Sequence, residues 1–263
     1  MKLPVVCTLL LACFSVEETQ AEKKHGLIIL HGLGGGLGPT LCSAMTTGLL
    51  INTDEVRVEC PEAECRSHSL IPPTWISSLP PSSRICLPSW FDFKLMPGEA
   101  VLKAGHHCDR KQLNESSYLV DEIIQNMVDE GIPSENIVVT GPSQGGALTL
   151  YHAVHSKFEL GALVPLIAWY PNLVSDPPLR FRPVNKKTRI LQINGLDDPI
   201  VPAVPAGSET RKVMEEVFTN YELKDIPLSS HTINPVTFAK MVEFFKTYDL
   251  LSFSSSPLSS LLE

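Results

Sequence analysis

The sequence predicts a single-domain α/β fold, with a mostly parallel central sheet and helices on both faces. Three observations carry this. Short, continuous apolar runs, at residues 26–30 (GLIIL), 137–139 (IVV), 161–168 (GALVPLIA) and 189–194 (RILQIN), alternate with stretches of helical spacing, the pattern of a sheet covered on both sides. A serine stands between glycines at a strand-to-helix corner, and an aspartate pair and a histidine follow later strands. A chain of 263 residues, 43% hydrophobic and 19% charged, suffices for one large core. Its formal charge of −8 and the lack of any Lys/Arg cluster argue against a nucleic-acid surface.

Taken in order, the chain begins with Lys2 and an apolar run from Leu3 to Val16, followed by a polar stretch ending at Ala21. This order predicts a signal peptide over residues 1–21, too short for a membrane span, with a first strand or N-terminal helix kept in the cytosol as the alternative, and the folded domain over 22–250. Removing it takes away Cys7 and Cys13 and leaves Cys42, Cys60, Cys65, Cys86 and Cys108. Five cysteines at irregular spacing predict one or two bridges and a free thiol. In a secreted chain, Asn114-Glu115-Ser116 is also a glycan acceptor.

The run at 26–30 predicts a central strand that opens into His31-Gly32-Leu33-Gly34-Gly35-Gly36-Leu37-Gly38. Without a G-K-[ST] ending or a clean G-x-G-x-x-G, this loop is a poor phosphate cradle. His-Gly-x-Gly after an early strand suits an oxyanion loop better, with the Leu33 N–H as donor and His31 as a structural turn residue. Residues 39–51 read as helix and 56–60 as a short strand. Residues 63–88, rich in Pro and Ser around Trp75, read as an irregular insertion. Trp90 and Phe91 follow it, placed either to line an acyl pocket or to cap the core. His106-His107-Cys108-Asp109 lacks a partner pair at zinc spacing, so no metal site is expected. Leu119, Val120, Ile123, Ile124, Met127 and Val128 form the stripe of a helix over 117–130, ended by Gly131.

The strand at 137–139 then runs into Gly141-Pro142-Ser143-Gln144-Gly145, a G-x-S-x-G nucleophile elbow. Ser143 is pushed outward, while the Gln144 N–H and the helix N-terminus face any charge developing on an attacked carbonyl. The run at 161–168 ends at Trp169, a further candidate for the substrate pocket. The strand at 189–194 leads into Asp197-Asp198-Pro199, where either aspartate meets the need for a carboxylate at a strand tip. Residues 208–218 read as helix and 221–226 as the last strand. His231 follows in a polar loop before a helix capped by Asn234, with Pro235 in its first turn and Phe238, Val242 and Phe245 in its buried stripe. Residues 251–263 are a Ser/Leu-rich tail. Ser143, then an aspartate, then His231 is the chain order of the α/β-hydrolase triad. A serine hydroxyl is a weak nucleophile at neutral pH, so it needs an imidazole to take its proton and a carboxylate to hold that imidazole's tautomer.

Seven strings together resemble the acyl-protein thioesterase / lysophospholipase group, the phospholipase/carboxylesterase family of α/β-hydrolases. They are His31-Gly32-Leu33-Gly34, Cys60-Pro61-x-Ala63, Pro88-Ser89-Trp90-Phe91-Asp92, Gly131-Ile132-Pro133-Ser134, Gly141-x-Ser143-Gln144-Gly145-Gly146-Ala147-Leu148, Asp198-Pro199-x-Val201-Pro202 and Ser230-His231. The resemblance implies an α/β-hydrolase fold with Ser143 as nucleophile, His231 as base and Asp198, the residue before Pro-x-Val-Pro, as orienting acid. It implies cleavage of long-chain acyl thioesters or esters on proteins or lysophospholipids, without a cofactor. The chain departs from the family pattern in Gly-Gly-Gly after the first loop, in Pro142 before the serine, in the long insertion and in the leader, since the family is mostly cytosolic. A noncatalytic lipid- or protein-binding module on the same fold is the reading of another class.

Overall fold

The computed structural model describes residues 23–47, 50–67, 86–94, 107–171 and 183–254. The expected leader, Trp75 with its prolines, His106 and the end of the tail lie outside these residues. Among the described residues, ten strands and five helices follow one another: β1 (His25–Ile29), α1 (Gly38–Thr46), β2 (Val56–Glu59), β3 (Cys65–Ser67), β4 (Cys86–Pro88), β5 (Phe93–Lys94), β6 (His107–Cys108), α2 (Arg110–Asp129), β7 (Ile137–Pro142), α3 (Gln144–His155), β8 (Ala162–Leu166), β9 (Arg189–Gly195), α4 (Ser208–Val217), β10 (Tyr221–Ile226) and α5 (Pro235–Thr247). Six strands form one sheet in the order β10-β9-β8-β7-β1-β2, and every neighbouring pair is parallel.

The alternation within each strand explains the two-sided burial. Ile28, Val139, Leu163 and Ile190 face a core built with α2, α3 and α4, where Val120, Ile124, Met127, Ala147, Leu150 and Met214 pack. Leu27, Val138, Val164, Leu191 and Ile193 face the opposite core, with Leu41 and Met45 of α1 and Met241, Val242 and Phe245 of α5. The helices therefore cover both faces, as the unbroken apolar runs require. From β1 the chain moves outward to β2, then returns to β7 on β1's other side and proceeds through β8 and β9 to β10. The loops leaving β1 and β7 thus open at the switch point where an open α/β sheet gathers its ligands.

Several expectations change. Helix α2 starts at Arg110 rather than near Ser117, because the Asp109 side chain caps it by accepting from the Gln112 N–H at 3.0 Å. Leu119, counted in its apolar stripe, is 37% exposed. The sequon lies inside this helix: Asn114 Oδ1 accepts from the Tyr151 hydroxyl at 2.6 Å, and buried Ser116 donates to the Trp90 carbonyl. The irregular 63–88 region is bounded by an antiparallel pair, β3 with β4. The first tail residues belong to the domain, for Leu251 is buried and Phe253 bridges Ile51. Cys42 and Cys60 form a disulfide, Cys65 is also bridged, and buried Cys108 is the free thiol among the described residues.

Candidate active site

The site is assembled from loops at one edge of the sheet. β7 ends at Pro142, and Ser143 takes φ 53° and ψ −117° as the residue before α3. A non-glycine residue at positive φ is strained, a conformation that projects a nucleophile out of a strand-to-helix turn. The flanking glycines are required by close approach. A Cβ on Gly141 would lie 2.6 Å from the Leu30 carbonyl oxygen, and one on Gly145 would lie 2.4 Å from it. These glycines press the elbow onto the end of β1, whose loop holds Leu33, one of the two oxyanion candidates.

Asp198 follows β9 and His231 follows β10; His231 reaches Ser143, and Asp198 reaches His231. His231 Nε2 is 2.9 Å from Ser143 Oγ, and its Nδ1 is 2.7 Å from Asp198 Oδ2. The other carboxylate oxygen of Asp198 accepts the Ile200 and Val201 N–H groups at 2.8 and 2.9 Å. The Asp198 side chain is wholly buried and that of His231 is 15% exposed. A carboxylate only accepts, so the ring proton sits on Nδ1 and Nε2 presents a lone pair to the serine hydroxyl. Between the two aspartates left open by the residues, the geometry separates the roles: Asp197 is exposed, and its backbone N–H is spent on the Ser229 carbonyl.

The oxyanion candidates lie on either side of the serine. Leu33 begins a short 3-10 turn after β1, and a Cβ on the preceding Gly32 would come within 3.6 Å of Ser143 Cβ. Gln144 is the first residue of α3, where helix N–H groups lack intrahelical acceptors. Its side chain has a role that the sequence left unread. It is fully buried, with Nε2 donating to the Phe91 carbonyl at 2.7 Å and Oε1 accepting the Trp90 N–H at 3.0 Å. The elbow is thereby clamped to the Ser89-Trp90-Phe91 segment. A buried glutamine beside a fixed aromatic string is the only signal the sequence offers for this.

Trp90, Phe91 and Trp169, the expected pocket residues, are all buried in the core beside α2 and α3. The Trp90 indole N–H donates to the His31 carbonyl at 2.8 Å. The Trp169 indole nitrogen is buried with no hydrogen-bond partner, and its ring packs edge-on against Phe91 and Phe93. Among the described residues, no group of three or more His, Cys, Asp or Glu side chains has a metal-binding arrangement, and no helix is long and apolar enough to cross a membrane. β6 places Cys108 opposite Phe93, with its side chain buried.

A second Ser/His/Asp grouping lies away from this edge. His152 of α3 is fully buried, with Nδ1 3.0 Å from Ser117 Oγ and Nε2 3.6 Å from Asp121 Oδ1, both on α2. Burial pushes the His152 imidazole down to about 3 and lifts the Asp121 carboxyl, against a hydrogen bond from Ser156 that opposes the rise.

Comparison with known proteins agrees with this architecture. Residues 11–249 match the family model described as Phospholipase/Carboxylesterase, a match that begins inside the stretch read as a leader. Acyl-protein thioesterase 1 homolog 2 of Dictyostelium discoideum is 30% identical over 136 residues, covering 52% of this chain and 60% of that protein. Acyl-protein thioesterase 1 of Neurospora crassa is 29% identical over 152 residues, covering 56% and 59%. The chain thus spans about three fifths of the length of these two relatives. Carboxylesterase SOBER1 of Arabidopsis thaliana is 29% identical over 209 residues, covering 79% of this chain and 83% of that protein. The crystal structure of SOBER1 matches with a TM-score of 0.67 at 25% identity, covering 86% of this chain and 99% of that one. That of Zea mays acyl-protein thioesterase 2, at 19% identity and a TM-score of 0.65, covers 86% and 94% and speaks to the fold.

Proposed function

We propose, from the premise that this chain belongs to the phospholipase/carboxylesterase family, that it is a serine hydrolase of the acyl-protein thioesterase type. Ser143 is the nucleophile, His231 the general base and Asp198 the orienting acid. The observation that carries the reading is the unbroken hydrogen-bond chain from Asp198 through both ring nitrogens of His231 to the strained Ser143. The names of the thioesterase and carboxylesterase relatives support the reaction class.

In this mechanism His231 Nε2 takes the Ser143 proton as Oγ attacks the acyl carbonyl, and Asp198 holds the resulting imidazolium. The oxyanion accepts from the Leu33 and Gln144 N–H groups, donors worth about 2.7 to 4 kcal/mol each in comparable sites. The imidazolium then protonates the leaving thiolate or alkoxide. Water, deprotonated by the same imidazole, releases the acid and returns the proton to Ser143. Every proton is carried by these side chains, so no cofactor enters. An S-acylated protein is the proposed substrate, with a lysophospholipid or a simple carboxylic ester as the alternative, the latter being what the name carboxylesterase of SOBER1 favours.

The bridged cysteines support passage through an oxidising compartment, in line with the leader expected at residues 1–21. Sequencing the mature N-terminus tests that part directly.

Turnover of a palmitoyl thioester, lysophosphatidylcholine and a short p-nitrophenyl ester, each with wild type and Ser143→Ala, tests the reaction. The expected result is fastest hydrolysis of the palmitoyl thioester, lost in Ser143→Ala. Lipid binding without turnover would instead mark a noncatalytic module.

A further inference from the structure

We infer that the His31 side chain is the positioning residue of the oxyanion loop: its Nδ1–H holds the Gly32 carbonyl and so fixes the direction of the Leu33 N–H. This rests on the serine-hydrolase reading above.

The tautomer follows from the partners. The Ala63 backbone N–H lies 2.9 Å from His31 Nε2. A backbone N–H can only donate, so Nε2 is the acceptor and the single proton of the neutral ring sits on Nδ1. Nδ1 in turn lies 2.6 Å from the Gly32 carbonyl oxygen, a contact favourable only with that proton in place. The ring is 4% exposed, so water does not substitute for either partner. Trp90 packs against it at a tilt of 32°, with centroids 4.8 Å apart, and ties down the same residue's backbone through its indole N–H.

The consequence lies one bond along. The Gly32 carbonyl and the Leu33 N–H belong to a single planar peptide and point in opposite directions, so anchoring one aims the other. The anchor is needed because the loop is soft: Gly34 and Gly35 take φ 74° and 78°, and Gly36 follows. A run of glycines resists rotation of its peptide planes least of any sequence. The Gly35 N–H also donates to the Gly32 carbonyl, at 3.1 Å, which closes the turn on itself without tying it to another element. Among the described residues, only the imidazole links the turn to the body of the protein at this oxygen, through Ala63. The closeness of Gly32 to Ser143 puts the aimed peptide beside the nucleophile.

Two substitutions separate the two ends of the ring. His31→Asn places an amide nitrogen near the position of Nδ1 and gives up the Ala63 contact. His31→Gln places an amide oxygen near the position of Nε2 and gives up the Gly32 contact. Steady-state hydrolysis of a p-nitrophenyl ester is measured for both, with thermal melting as a folding control. The expected result is a kcat about 10- to 100-fold below wild type for His31→Gln at near-constant KM, since a misaimed donor acts in the transition state. His31→Asn should recover about tenfold of that loss, and a trifluoromethyl ketone, whose adduct carries an oxyanion, should weaken in parallel with kcat. His31→Phe, which keeps ring volume and packing without either hydrogen bond, should behave as His31→Gln does. Equal kcat in all variants, or a faster His31→Gln than His31→Asn, would overturn this inference while leaving the hydrolase reading intact. Absence of turnover in wild type would remove that reading and this inference together.

Discussion

Two groupings of the same three residue types lie in this molecule, and they differ in nearly everything except composition. At the sheet edge, Ser143, His231 and Asp198 come from three loops after β7, β10 and β9, with both ring nitrogens bonded at 2.9 and 2.7 Å. Between α2 and α3, Ser117 and Asp121 sit one helical turn apart and face His152, whose Nε2 has no partner within hydrogen-bond distance. The first histidine is partly open and the second wholly enclosed. A loop lets a side chain be aimed independently of its neighbours, and a strand end opens it to a substrate. Helix interiors allow neither, so the second grouping fastens α2 to α3. Residue identity supplies the atoms; access and aim supply the chemistry.

Substitutions at corresponding positions sharpen this contrast, and the largest effect belongs to the sheet edge. His231→Ala should lower kcat by roughly 10⁶-fold, and Asp198→Asn, which keeps the shape but upsets the tautomer, by about 10⁴-fold. Neither should move the melting temperature by more than a few degrees, read by calorimetry beside the kinetics. In the buried grouping the pattern inverts. His152→Leu should leave kcat per folded molecule within about threefold, while removing a buried hydrogen bond and stranding Ser117 costs about 1–3 kcal/mol of stability. Ser117→Ala, which removes only the hydroxyl, should cost about 1 kcal/mol in denaturant unfolding.

The pH dependence of stability follows from the same burial. His152 holds its folded value near 3, whereas the unfolded imidazole titrates near about 6.5. Above that unfolded value the folded state gives nothing up. As pH falls below it, the unfolded chain binds a proton that the folded chain refuses, and stability drops by up to about 1.4 kcal/mol per pH unit until the folded value is reached. Asp121, raised by burial, works the other way just above the unfolded carboxylate range and offsets part of the loss. Urea midpoints measured between neutral pH and pH 4 should therefore fall, and the fall should be shallower in His152→Leu.

Much of the sheet edge was legible in the sequence because each of its parts is local. Apolar runs mark the strands, glycines mark the elbow, and chain order pairs Ser143 with a later aspartate and His231. Choosing Asp198 over Asp197 needed resemblance, since a turn sequence does not say which carboxylate points inward; only the packing of the Ile200 and Val201 N–H groups against Asp198 does. What stayed hidden is long-range. Gln144's grip on the Trp90 segment spans 54 positions, the His31 contact with Ala63 spans 32, and the Cys42–Cys60 bridge spans 18. The early start of α2 is hidden for a local reason: its first two turns are mostly polar, so the apolar stripe begins well after the cap at Asp109.

In the proposed hydrolase, one serine is aimed and activated while the other is only buried. Treating the folded protein with a fluorophosphonate and mapping the adduct by peptide mass spectrometry tests it most directly. The adduct should lie on Ser143 in wild type and in Ser117→Ala, and disappear in Ser143→Ala. A modified residue elsewhere that persists in Ser143→Ala, or no adduct on the folded wild type, would contradict the account.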